Sequence, residues 1–108
     1  MSNHEEYLEK FIQNLRNGNF YDAHENLESL WFPRRFDEND EVKLIKGFIN
    51  ASVSFELHKK GKIEPSKKVW NNYLKYRDLI YSVNSPYMEK YHQIIEDIER
   101  VKKSFINI

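Results

Sequence analysis

The sequence predicts an all-α fold, a single compact, bundle-like domain of about five helices. Three observations predict it. Apolar residues recur at three- and four-residue steps through most of the chain, strand-type alternation is absent, and Gly, Pro and Asn punctuate the pattern. The length agrees, since 108 residues that are 40% apolar and 15% aromatic hold material for one core. Residues 1–108 are therefore read as one domain.

Tyr7, Leu8, Phe11, Ile12 and Leu15 make the stripe of the first helix, and Gly18 stands where a left-handed residue ends it. Asn19 has N-cap chemistry, and Asp22 suits the positive end of a second helix running from about Phe20 to Trp31. Pro33 stops that helix, and Phe32 to Asp40 reads as a loop. From Glu41 to about Lys60, Val42, Leu44, Ile45, Phe48, Ile49, Ala51, Val53, Phe55 and Leu57 cover more than half of the helix circumference. A helix apolar on so many sides is the central one.

Gly61 closes this third helix, and Pro65 suits the first turn of a fourth. Trp70, Tyr73, Leu74, Arg77, Ile80 and Tyr81 form the fourth helix's stripe. Ser85 is the expected N-cap of a fifth helix over about 86–104, with Pro86 at its first position. Tyr87, Met88, Tyr91, Ile94, Ile95, Ile98, Val101 and Phe105 line one side of it. Short connections predict antiparallel neighbours, with the second and third helices as a core hairpin.

Composition removes several classes of function. With 17 basic and 17 acidic residues the chain carries no net field to draw it to nucleic acid or an anionic membrane. Lys59, Lys60, Lys62, Lys67 and Lys68 form a local basic cluster without interleaved aromatics, so it reads as solvated rather than as a nucleic-acid surface. The absence of cysteine excludes disulfides, thiolate metal sites and cysteine nucleophiles. Met1 to Glu6 has no apolar signal core, and no run approaches the roughly 18–20 apolar residues of a membrane span, so a cytoplasmic setting is expected. Three scattered glycines make no phosphate loop, no Ser-centred elbow is present, and no cofactor is expected.

The suggestive constellation lies on the second helix: His24, Glu25, Glu28 and Trp31. On a helical wheel His24 falls inside the stripe of Phe20, Leu27 and Trp31, with Glu28 one turn on at the stripe's edge. A carboxylate beside an imidazole fixes its tautomer and raises its basicity, as a general base requires. The same pair also serves as an ordinary structural polar contact. His24-Glu25-Asn26-Leu27-Glu28 lacks the second histidine of a zincin helix, and Glu89-Lys90-Tyr91-His92 is a single copy where a di-iron bundle needs two, so no metal site is predicted.

On the third helix Lys46 is placed to reach Glu28, and Asn50 to bond His24. Glu56 falls among Ile45, Ile49 and Ser52, where a carboxylate needs a partner; His4, Arg34, Arg35, Arg77 or a backbone cap would serve. His58 projects away from that face and is expected to be exposed, and His4 to lie in a fraying tail.

Two blocks carry a resemblance: Gly18-Asn19-Phe20-Tyr21-Asp22-Ala23-His24-Glu25 with Leu27, Glu28 and Trp31, and Leu44-Ile45-Lys46-Gly47-Phe48-Ile49-Asn50-Ala51 ending in Lys59-Lys60-Gly61-Lys62. Over about residues 7–75 the chain resembles the family known as domain of unknown function 309, small all-α proteins of bacteria and archaea. The resemblance implies a polar cluster between the second and third helices, and His24, Glu25, Glu28 and Trp31 match its pattern. The third helix departs from it. Lys46 and Asn50 stand where the family pattern has glutamines, and Leu57 where it has a histidine, with His58 one step and about 100° away. Lys46 repels a cation and suits a carboxylate or phosphate.

Two functions from different classes follow as expectations. One is a binding or hydrolase-like protein for a small, anionic ligand, with His24 as base, Glu28 orienting it, and Glu25, Trp31, Lys46 and Asn50 lining the pocket. The other is a non-enzymatic interaction module in which Tyr73, Tyr76 and Tyr81 engage a partner or a second copy of the chain, the His/Glu cluster being only a core ion pair.

Overall fold

In the computed structural model, residues 3–105 are described; the expected 1–108 extent of the domain and the polar start at Met1 lie partly outside the described residues. The described residues form α1 (Asn3–Arg16), α2 (Phe20–Trp31), α3 (Asp40–Lys59), α4 (Ile63–Arg77) and α5 (Met88–Lys102), with no strand among them. Short 3₁₀ turns, Phe32–Arg34 and Asp78–Tyr81, continue α2 and α4. The fold class and the helix order are those the apolar period predicts.

Helix ends show where local rules held and where they gave way. Gly18 and Gly61 take φ of +76° and +78°, the left-handed conformation that lets a helix stop without a Cβ clash. Asn19 is not a side-chain cap. Its N–H donates to the Asn14 carbonyl at 2.8 Å and its own carbonyl accepts from Ala23 at 3.0 Å, so its backbone joins the two helices. The side chain that does cap is Asn39, whose Oδ1 accepts from the Val42 N–H at 2.9 Å. Ser85 Oγ accepts from Tyr87 N–H at 3.1 Å, but this closes a turn holding Pro86, and α5 begins only at Met88. The stripe of α4 is cut short in the same way. After Arg77 the tighter 3₁₀ winding keeps Ile80 buried but turns Tyr81 outward, leaving it 86% exposed.

α3 is the central helix, in contact with α2, α4 and α5. Leu44, Ile45, Phe48, Ile49, Ala51 and Phe55 are buried in the common core with Phe11, Leu27, Tyr73, Tyr91 and Ile94. The expected pairing of α2 with α3 is present, yet the closest packing is between α3 and α4. Two features of the seam allow it. Gly47 lets the helix backbones approach until an added Cβ would lie 2.7 Å from Tyr76 Cβ. Farther along, Ser54 and Ser66, both fully buried, each donate to the other's carbonyl at 2.8 Å. α5 returns to α1 through polar links, His4 to Tyr91, Lys90 to Glu9 and Arg16 to Asp97.

Candidate functional site

α2 delivers His24, Glu28 and Trp31 to one side because they lie three or four residues apart along it. His24 Nε2 stands 3.5 Å from Glu28 Oε2, with the imidazole one-quarter and the carboxylate one-third exposed. Tyr21 meets the imidazole edge-on. The other ring nitrogen, Nδ1, is buried and without a hydrogen-bond partner, a state that costs about 1–3 kcal/mol. Glu25 is exposed, on the solvent side of α2.

The residues of α3 do not join that pair. Lys46 Nζ lies 4.2 Å from the centroid of the Trp31 ring, one turn farther along α2 than Glu28, instead of on Glu28. Asn50 Nδ2 donates to the Lys46 carbonyl at 2.9 Å, the preceding turn of its own helix satisfying it before His24 does. The predicted cluster is thus two sub-sites: His24 with Glu28, and Trp31 with Lys46.

Trp31 and Lys46 line a cleft of about 250 Å³ together with Arg35, Lys43 and Tyr76 and with the carboxylates of Asp37 and Glu38. His24 and Glu28 are not among its lining residues. Within it the carboxylates are engaged, Asp37 with Arg34 at 3.3 Å and Glu38 with Lys43 at 3.7 Å. Arg35 has no carboxylate partner among the described residues. Its guanidinium lies 3.7 Å from the Phe32 ring and 4.6 Å from the Phe36 ring, and Nη1 donates to the Phe32 carbonyl at 2.7 Å. Arg35, one of the partners expected for Glu56, does not pair with it; it lies in a turn after α2 that no helical wheel orders.

Several other expectations are corrected. Glu56 pairs with Lys60 at 3.1 Å, one turn along its own helix, and not with a distant base. Within the basic cluster, Lys59 donates to the Gly18 carbonyl at 3.3 Å, at the end of α1, and Lys67 to Glu64 at 3.3 Å, both at exposed positions. His58 is half-buried, edge-on to Phe105 at 4.9 Å, where the chain beyond α5 folds back. Tyr73 is fully buried, so the aromatic face proposed for α4 lacks it. No group of three or more His, Asp or Glu suited to a metal is found among the described residues, and no helix there is long and apolar enough to cross a membrane.

A second polar cluster was missed. His4, at the start of α1, stacks on Tyr87 at 3.9 Å and bonds Tyr91 Oη at 2.8 Å. Tyr91 donates to Glu41 Oε2, which also accepts from Ser85 Oγ at 2.7 Å. Since Tyr91 gives its proton to Glu41, its oxygen accepts from His4 Nε2–H. The signal existed: His4 lies four residues before Leu8 and seven before Phe11, on the stripe of α1.

Burial pushes His4 below the usual imidazole value of 6.5, Glu41 opposes this and Arg34 adds to it. The folded protein therefore takes up this proton later than the unfolded chain on acidification. His4's contribution is complete above pH 6.5 and is lost as pH falls below it, levelling off below the folded value. Urea midpoints are expected to decline from about pH 7.5 to about pH 5, less so in His4→Asn. A stability that rises over this interval, or an unchanged decline in the variant, contradicts it.

No curated protein and no solved structure matches the chain. One family model does match, over residues 8–69, which takes in α1 from Leu8 onward, all of α2 and α3, and the first turns of α4. Both sub-sites of the α2–α3 seam and the Ser54–Ser66 contact of α3 with α4 lie within that span, while Tyr76, which meets Gly47, lies beyond it. The chain belongs to the family described as domain of unknown function DUF309.

Proposed function

We propose that this domain binds a small anionic group, a carboxylate or a phosphate, in the cleft between the end of α2 and the first half of α3. One observation carries the reading: Arg35 and Lys46, two cations without a carboxylate partner among the described residues, share a cleft walled by Trp31 and Tyr76. Ring faces orient a cation but do not neutralise it, so each charge stays available to an incoming anion. The same placement favours binding over hydrolysis. The pair suited to acid–base work, His24 and Glu28, stands outside the cleft lining, and a base has to reach the proton it removes.

The test is a titration of the protein with inorganic phosphate and with acetate, followed by amide chemical shifts. Saturable shifts are expected along residues 31–46, at millimolar concentrations for so open a site. Lys46→Met and Arg35→Met should each abolish saturation while changing stability by no more than about 1 kcal/mol, since an exposed cation–π contact contributes about 0.5–1 kcal/mol. Shifts that stay linear in salt, or that survive both substitutions, remove the proposal.

A further inference from the structure

We infer that the anion is carried by an acidic segment of a partner protein, presented together with an apolar side chain, and that the turn after α2 is the docking surface. This rests on the anion-binding reading above and adds what presents the charge.

The turn displays two large apolar groups that the fold leaves uncovered. Phe32 is 51% and Phe36 83% exposed, in contrast to Phe11, Phe48 and Phe55, which are fully buried. Both meet Arg35, whose guanidinium lies over each ring and is held by the Phe32 carbonyl. Holding a guanidinium in this way fixes its fork of donors before any ligand arrives, which lowers the ordering cost of binding. Arg35 also lines the cleft that holds Lys46, so the rings and the two uncompensated cations form one continuous face. A free inorganic ion would use the cations and leave both rings in water.

Charge complementarity selects the occupant. Arg35 and Lys46 call for one or two negative groups, while Asp37 and Glu38, which line the same cleft, penalise an extended polyanion. A peptide with a carboxylate on each side of an apolar side chain satisfies both conditions, with rings and arginine as the central anchors. A nucleic-acid strand, which would bring a phosphate for every base it stacks, does not.

The full chain is titrated into fluorescein-labelled short peptides with a central Glu-Phe-Glu, Glu-Ala-Glu or Gln-Phe-Gln, and into labelled oligothymidylate, with anisotropy as readout. Glu-Phe-Glu is expected to bind roughly tenfold or more tighter than either control peptide, the margin that loss of one anchor produces. Phe32→Ser with Phe36→Ser should remove that margin, while the phosphate-induced shifts stay saturable with a weaker midpoint, since Arg35 and Lys46 are both present but Arg35 has lost the rings that hold it; their persistence also shows that the variant is folded. Arg35→Met with Lys46→Met should abolish both. Equal binding of the Phe and Ala peptides with the phosphate response intact overturns the docking inference alone. Loss of the phosphate response in the unaltered protein overturns the anion reading as well. Oligothymidylate binding tighter than Glu-Phe-Glu replaces the protein partner with a nucleic acid.

Discussion

Replacing Arg16 and Arg100 together by methionine is expected to cost about 3–5 kcal/mol of folding stability, although both side chains are largely exposed. The reason lies in their shared partner. Asp97 is 1% exposed and meets Arg16 Nε at 3.0 Å and Arg100 Nη1 at 2.7 Å. Removing both arginines leaves a carboxylate in the interior with neither cation, and an uncompensated buried charge is among the costliest defects a fold can carry. Asp97→Ala does the reverse. It releases two arginines that water can solvate, so its cost should be nearer 1–2 kcal/mol, a buried polar contact with a small cavity. Replacing all three by Leu, Met and Met should recover most of the loss, since apolar residues of similar volume often match a buried ion pair. Urea denaturation of the four proteins at neutral pH checks the order. An Asp97→Ala variant less stable than the double arginine variant would contradict it.

Asp97 also shows what periodicity reads and what it misses. It lies three residues after Ile94 and four before Val101, within the stripe of α5, with Arg100 three residues on. The stripe therefore gave the position of the helix and the face it buries. It could not say that an acid belonged there, because Arg16 is 81 residues away in sequence. Ser54 and Ser66 behave alike: each is an unremarkable helix residue until the partner helix is placed against it. Local rules carried the five helices, the left-handed glycines and the central place of α3. They failed where two elements compete for one residue, as at Asn19, which bonds backward into α1, and at Tyr81, where a 3₁₀ turn breaks the period.

The candidate site was half legible for the same reason. Of the four residues grouped on α2, His24 does stand beside Glu28, but Glu25 turns to solvent and Trp31 joins Lys46. Pairings across helices depended on the level at which α3 crosses α2, which no wheel contains. Lys46 consequently faces Trp31, and Asn50 bonds its own helix. Arg35 was out of reach because a loop residue has no period, and its contacts with Phe32 and Phe36 form at the end of the 3₁₀ turn.

Gly47→Ala is expected to destabilise the protein by about 1–2 kcal/mol, against the gain of about 1 kcal/mol that this change brings in an ordinary helix. The new Cβ would sit 2.7 Å from Tyr76 Cβ, an atom fixed to the backbone of α4 that no rotamer change can move. The helices cannot simply part, because the reciprocal Ser54–Ser66 bonds hold the same seam two turns farther along. Truncating the Tyr76 ring should therefore give no relief, since Tyr76→Ala keeps the offending carbon. Tyr76→Gly removes it, and Gly47→Ala should then cost less in that background than in the parent, a coupling measurable in a double-mutant cycle. Equal costs in the two backgrounds would show that α4 yields. The contact also bears on ligand binding, because Gly47 adjoins Lys46 and Tyr76 walls the anion cleft. Forcing α3 from α4 at this point should weaken phosphate binding while Arg35 and Lys46 are both still present.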